Sequence, residues 1–199
     1  MSTEKKILNE AIILFRKNGY HSTSMNMVSE ACKISKGNLT YHYPTKEELY
    51  RKSIAASDYY FKKYVLFNSF ENIPNELDGL INFLKNVKTW LFFEDKVIGC
   101  VFSNTALELR HSNPELADLP LECLRSYKTV LKDKIQSGQI NGSIVSKEPP
   151  DIMIEDLFLG YEGAMIYSRI ENSLTCFDLF IERTQKYLKN RSQLKNRLI

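Results

Sequence analysis

Residues 19–49 read GYHSTSMNMVSEACKISKGNLTYHYPTKEEL, and this stretch decides how the chain folds. Thr23 and Ser24 can open a short helix, which runs to about Cys32. Ser35 is an N-cap residue for a second short helix, and Pro44 forces that helix to end by Tyr43. Thr45 with Glu48 three residues on forms a capping box, which starts a longer helix. Two short helices, Ser24–Cys32 and Lys36–Tyr43, are thus joined by Lys33-Ile34-Ser35, the layout of a helix-turn-helix. Val28, Ala31, Ile34 and Leu39 are apolar where the two helices must meet. Lys36, Gly37, Asn38, Thr40, Tyr41 and His42 are left on or near the outer face.

The chemistry of that outer face suits DNA. A lysine at position 36 can reach a guanine edge or a phosphate. Gly37 lets backbone approach a groove closely. Tyr41 can donate to phosphate and pack on a thymine methyl, while His42 and Lys46 fall where the chain would meet the flanking DNA backbone. The charge distribution agrees. Residues 1–52 carry a net +4, residues 53–182 a net −7 and residues 183–199 a net +6. A small basic head on an acidic body implies that the head meets a polyanion. The basic tail from Arg183 to Arg197 reads as a solvated, frayed end, with nonspecific DNA contact as the alternative reading.

Working outward, the chain reads as all-α. Ile7, Leu8, Ala11, Ile12 and Phe15 recur at helical spacing, so the first helix spans about Thr3 to Asn18 and stops at Gly19. The helix after Thr45 continues into an aromatic stretch through Tyr64. A fifth helix carries Leu77, Leu80, Ile81, Leu84, Val87 and Leu91; a sixth spans about Gly99 to Arg110. A seventh opens at Pro114, bends near Pro120 and ends near Gly138. A polar linker over residues 138–150 precedes two last helices, about Pro150–Ile170 and Ser173–Asn190. The division implied is a helix-turn-helix head over residues 1–48 and a helical body over 49–199, about nine helices in all; the family resemblance given below makes that body the ligand-binding and dimerisation domain.

The 199 residues are 43% hydrophobic and 26% charged, which excludes a disordered or low-complexity chain. No apolar run is long enough to span a membrane, and the first residues lack a signal-peptide core. A soluble cytoplasmic protein with no membrane partner is expected. Cys32, Cys100, Cys123 and Cys176 are too scattered for zinc, so neither a metal nor another cofactor is expected. No nucleophile elbow, phosphate loop or metal cluster marks an enzyme.

Residues 19–49 resemble the N-terminal signature of TetR-family repressors, through Thr23-Ser24, Val28, Ala31, Ile34-Ser35-Lys36-Gly37, Leu39, Tyr41-His42-Tyr43 and Lys46 to Leu49. The resemblance implies a helix-turn-helix repressor that binds double-stranded, palindromic operator DNA through Thr23, Ser35, Lys36, Gly37, Asn38, Thr40, Tyr41, His42 and Lys46. It also implies a homodimer and release by a small-molecule effector. One departure stands out: Lys33 occupies a place where the family usually has Gly in a left-handed conformation, at a cost of about 1 kcal/mol. Residues 99–109 and 112–115 are similar to the regulatory domains of the NemR-like and LmrA-like branches.

For the body, an effector cavity lined by Tyr64, Trp90, Phe93, Phe102, Tyr127 and Tyr161 is expected, with Glu108 as a counter-charge for a cationic ligand. Each aromatic has an ordinary reading as core, and Glu108 one as a packing or solvated carboxylate. Gly160, Tyr161, Ala164 and Leu157, with Phe177 and Ile181, are the expected dimer seam; the alternative is packing within one subunit. Cys100, at the start of the sixth helix, is a candidate electrophile or redox sensor, because a helix N-terminus lowers a thiol pKa. Its alternative reading is a small buried hydrophobe.

Overall fold

The computed structural model describes residues 2–189. In chain order the elements are α1 (Thr3–Asn18), α2 (Met25–Ala31), α3 (Lys36–His42), α4 (Lys46–Phe61), a π-helical segment (Lys62–Phe67), a 3-10 turn (Asn68–Phe70), α5 (Glu76–Trp90), β1 (Phe92–Phe93), β2 (Lys96–Val97), α6 (Val101–Leu109), α7 (Pro114–Asn141), α8 (Pro150–Ile170) and α9 (Thr175–Lys189). The all-α expectation holds for the architecture. Among the described residues no helix is long and apolar enough to cross a membrane. The tail beyond Lys189, including the end expected for the last helix at Asn190, lies outside the described residues.

The chain forms two compact units. Among the described residues, the first gathers 2–61 with Ile98–Leu124, and the second gathers Lys62–Val97 with 125–189. The first unit therefore contains the whole head read over residues 1–48 and adds α6 and the start of α7 to it.

In the first unit, Ser2 caps α1 through its hydroxyl, which accepts from Lys5 N. The helix buries Ile7, Ala11, Ile12 and Phe15 on one face, which packs along α4 with its buried Leu49, Tyr50 and Ile54. Each fully buried aliphatic or aromatic side chain contributes about 1.5–3 kcal/mol. Ser24 and Ser35 cap α2 and α3, accepting from Met27 N and Asn38 N. Lys33 has φ 51°, so the turn adopts the left-handed conformation with a non-glycine residue in it. Val28 and Leu39 are buried as expected, but Ala31 is exposed, and Cys32 takes the buried place. α2 ends at Ala31, and the following turn rotates Cys32 inward, where its thiol reaches the carbonyl of Lys6.

In the second unit, α5 buries Leu77, Leu80, Ile81, Phe83, Leu84 and Val87 and packs against α9, while α8 and α9 form a helical hairpin. α8 spans Pro150–Ile170, the range read from the sequence. α7 runs on to Asn141 and carries Gly138 inside it, three residues past the expected stop. A small hairpin corrects the purely helical reading of residues 92–97: Phe92 pairs with Val97 and Phe93 with Lys96. Its turn residues Glu94 and Asp95 both have positive φ, 47° and 59°, the geometry of a tight hairpin turn. Glu-Asp is not the usual pair for such a turn, which is why residue types did not announce it.

Candidate nucleic-acid interface

The face offered by α3 is built on a buried anchor. Leu39 and Tyr43 point into the unit, and Ser35, Lys36, Gly37, Asn38 and Tyr41 are exposed. Tyr41 is 84% exposed, an arrangement with no packing benefit of its own. Its ring meets His42 edge-on, with centroids 5.4 Å apart. Thr40 and His42 are half-buried, and the Thr40 hydroxyl donates to the carbonyls of Lys36 and Gly37 at 3.1 and 3.2 Å. Seven expected contact residues, Ser35 to Asn38 with Thr40, Tyr41 and His42, thus lie together on one helix and its cap.

Two expected contact residues are placed otherwise. Thr23 is buried, and its hydroxyl donates to the carbonyl of Gly19 at 2.7 Å, so the side chain holds the loop before α2. Lys46 turns back onto that loop: Nζ donates to the Tyr20 carbonyl at 3.1 Å and lies 4.3 Å from the Tyr20 ring centroid. Both are corrections to the expectation that these side chains contact DNA. The loop also holds Glu108. Its two carboxylate oxygens accept from the backbone N–H groups of Tyr20 at 2.6 Å and His21 at 2.7 Å. Glu108 therefore faces backbone donors in its own unit and is not the ligand counter-charge expected from the sequence. Burial and the Glu47 carboxylate push the Tyr20 phenol up.

The expected effector residues divide between the units. Phe102 is buried in the first, edge-on to Phe61 at 6.0 Å. Tyr64, Trp90, Phe93, Tyr127 and Tyr161 belong to the second. Tyr64 is 54% exposed and so is corrected from pocket lining to surface; it sits on the π-helical segment, which turns it outward. Trp90 and Phe93 are half-buried, and Tyr127 is buried with Lys62 Nζ 5.8 Å from its ring centroid. A groove of about 820 Å³ on the second unit is lined by other residues, among them Lys85, Lys88, Phe92, Asp178, Ile181 and Glu182. The Lys88–Asp178 ion pair, 2.5 Å, bridges α5 and α9 there.

The expected dimer seam lies inside the second unit. Leu157, Tyr161, Phe177 and Ile181 are buried, with Tyr161 edge-on to Phe177 at 6.1 Å. A Cβ on Gly160 would stand 2.4 Å from Phe180, so this glycine admits α9 against α8 in the same chain. Ala164 is half-buried. The apolar residues left facing outward on α8 are Ile152, Leu159, Ile166, Tyr167 and Ile170, which sequence reasoning passed over. The signal that could have found them is their heptad-like spacing through Gly163.

Cys100 is the N-cap of α6 but only 1% exposed, so the structure favours its other reading, a small buried hydrophobe, over the sensor reading. Among the described residues no group of three or more His, Cys, Asp or Glu side chains could hold a metal ion.

Comparison with known proteins fits this geometry. Residues 7–52 match the family described as "Bacterial regulatory proteins, tetR family", and residues 77–183 match "Tetracyclin repressor-like, C-terminal domain". The IcaR negative transcriptional regulator of the biofilm operon icaADBC in Staphylococcus epidermidis is 42% identical over 79 residues, 40% of this chain and 42% of that protein. IcaR of Staphylococcus aureus (strain Newman) is 31% identical over 80 residues, with the same coverage. The chain thus spans about two fifths of the length of the curated relatives it matches. A TetR-family transcriptional regulator from Agrobacterium tumefaciens superposes with a TM-score of 0.86 at 19% identity, covering 94% of this chain and 98% of that one. The reduced form of E. coli NemR gives 0.81 at 13% identity, covering 96% and 100%, a likeness of fold alone. With one profile over the head and a second over more than half of its length, the chain belongs to the TetR family of transcriptional regulators.

Proposed function

We propose that the chain is a cytoplasmic, DNA-binding transcriptional repressor that acts as a homodimer on a palindromic operator and is released by a small molecule. The observation that carries the reading is the α3 face. An exposed tyrosine, a lysine, an asparagine and a glycine project from a short helix whose other side is anchored by Leu39 and Tyr43. Those side chains match what a major groove requires: donors and acceptors for base edges, and a cation for phosphate. The basic head on an acidic body supports the same partner.

Homodimerisation is supported by the outward apolar stripe on α8, since a two-fold operator calls for a two-fold protein. Release by an effector would act through population shift: the effector must bind the DNA-incompetent state more tightly than the competent one. The thiol-sensing alternative has no support from a Cys100 that is buried.

The test is fluorescence anisotropy with a duplex selected from a random-sequence pool by the purified protein, titrated across salt. The repressor reading expects selective binding, two protein chains per short palindrome and a steep fall with salt. Equal binding to selected and scrambled duplexes overturns it.

A further inference from the structure

We propose that Glu108 is a positioning residue for DNA recognition: it locks the peptide Tyr20–His21 and thereby ties the register of the helix-turn-helix to α6. The inference rests on the repressor reading above and adds to it the residue through which α6 acts. The lock is made of charge and backbone. Each Glu108 oxygen takes one N–H, at 2.6 Å from Tyr20 and 2.7 Å from His21, and the Lys46 ammonium takes the carbonyl of Tyr20 at 3.1 Å. A carboxylate and an ammonium hold the donor and acceptor sides of the same short peptide. Hydrogen bonds to ionised groups are about twice as strong as neutral ones.

The site is shaped for the carboxylate. Gly19 has φ 80°, and a Cβ there would fall 2.4 Å from Glu108 Oε2. Only glycine permits both the turn and the approach of the oxygen. Two further bonds bind α6 and its C-terminal side to the same end of α1: Asn104 Nδ2 donates to the Arg16 carbonyl at 3.4 Å, and His21 Nε2 lies 3.0 Å from Ser112 Oγ.

The loop so held leads directly to the DNA face. Thr23 hangs on the Gly19 carbonyl through its hydroxyl and on the Tyr20 carbonyl through its N–H at 3.3 Å; Ser24 then caps α2. α2 packs on α3, and Val28 of the one and Leu39 of the other are buried. Glu108 lies within the residues matched by the C-terminal regulatory profile, whereas Tyr20, His21 and Lys46 lie within the N-terminal one. A carboxylate from the regulatory part thus holds the loop that aims α3. Displacing α6 by an ångström or two breaks both short bonds and frees the start of α2.

The experiment compares wild type with Glu108→Ala and Glu108→Gln, using a duplex selected by the wild-type protein and a scrambled one at the same salt. A Gln offers one acceptor oxygen and sets its NH2 against the other N–H. The expected result is a fall of at least tenfold in the selected-to-scrambled affinity ratio for Ala, a smaller fall for Gln, and scrambled-DNA affinity within twofold of wild type. Leu107→Ala, at a 78% exposed neighbour on the same helix, leaves the ratio unchanged. A merely structural Glu108 lowers both affinities together through the folded fraction, and that outcome, or an unchanged ratio, overturns the proposal.

Should the variants not fold, amide exchange in the wild-type protein decides. Coupling is reciprocal, so the selected duplex must slow exchange of the Tyr20 and His21 amides more than the scrambled duplex does. Equal exchange with both overturns the proposal. If the wild type selects no sequence at all, the repressor reading itself fails, a result distinct from a selective wild type with unaffected variants.

Discussion

Tyr50 of α4 donates its phenolic proton to Thr105 Oγ1 of α6 at 2.7 Å, and Thr105 passes its own proton to the Val101 carbonyl at 2.7 Å. Both side chains are fully buried, and the chain of donors ends inside α6 itself. Phe15 packs edge-on against Tyr50, with centroids 5.2 Å apart, so one aromatic ring meets α1, α4 and α6. Burial pushes the Tyr50 phenol well above the usual tyrosine range.

Thr105→Val keeps the shape of that contact and removes the acceptor. It leaves a buried phenol without a partner and should cost about 1–3 kcal/mol in urea unfolding. Tyr50→Phe should cost less, and the double variant should recover part of the Val penalty because no polar group is stranded. A Thr105→Val protein as stable as wild type contradicts this account of the α4–α6 contact.

The DNA face separates stability from function. Tyr41→Ala removes a ring that touches little of its own protein, so its unfolding free energy should stay within about 0.5 kcal/mol of wild type. Its affinity for a selected duplex should nonetheless fall at least tenfold. Lys36→Ala should reduce the slope of log affinity against log salt by about 1 if Lys36 contacts a phosphate. Anisotropy at several salt concentrations reads both. A Tyr41→Ala variant that binds normally removes α3 from the interface.

Much of this was legible in the sequence because local chemistry carries it. Ser24 and Ser35 are caps whose partners are three residues away, and Pro44 ends α3 without help from any distant group. The left-handed Lys33 follows from the family pattern of the turn. Tertiary reach was not legible. Lys46 and Glu108 meet at Tyr20 from positions 26 and 88 residues away, and no periodicity encodes that meeting. Thr23 stands among the DNA contacts the resemblance implies until its hydroxyl is seen on Gly19 O. On α8 both faces are apolar, so composition could not say which one packs on α9. The chain's own Phe177 and Phe180 cover the face of Tyr161 and Gly160.

Tyr43 makes the stability of the first unit sensitive to alkali. Its ring is buried just after α3, its hydroxyl finds no hydrogen-bond partner among the described residues, and burial, with Glu4 and Glu48 adding to it, pushes its pKa up to about 12. The folded value is raised above the unfolded value of about 10. The neutral phenol therefore contributes stability that is full below pH 10 and is lost as pH rises toward 12. Tyr43→Phe should remove that loss and, with no polar atom left buried, be at least as stable as wild type at neutral pH. Urea midpoints for both proteins across alkaline pH check the sign; a Phe variant that weakens in parallel with wild type refutes it.

The four thiols should separate by accessibility. Cys32 and Cys100 are buried, whereas Cys123 and Cys176 are half-buried, and none is in a disulfide. Brief treatment of the native protein with a thiol-specific alkylating agent should label Cys123 and Cys176 first. Cys32 and Cys100 should react only after unfolding; burial also pushes the Cys32 thiol up, which lowers its thiolate fraction further. Mass mapping of the labelled peptides tests this order. Rapid native labelling of Cys100 would restore the sensor reading that its burial disfavours.

The outward face of α8 makes the sharpest statement about assembly. Ile152, Leu159, Ile166 and Ile170 stand at intervals of seven, seven and four residues, with Gly163 open between them and Tyr167 alongside. Leu159 is 72% exposed, a costly position for a side chain with no partner. The spacing is that of a helix seam built to meet another helix. Leu159→Asp and Ile166→Asp place charge on that seam and should convert a dimer to a monomer in sedimentation equilibrium at micromolar concentration. Leu157, two residues away, points into the chain's own core. Leu157→Ala should therefore cost about 2–5 kcal/mol of folding stability and leave the mass unchanged. If instead Leu157→Ala dissociates the protein and the two aspartates do not, the interface lies on the face that the sequence first indicated.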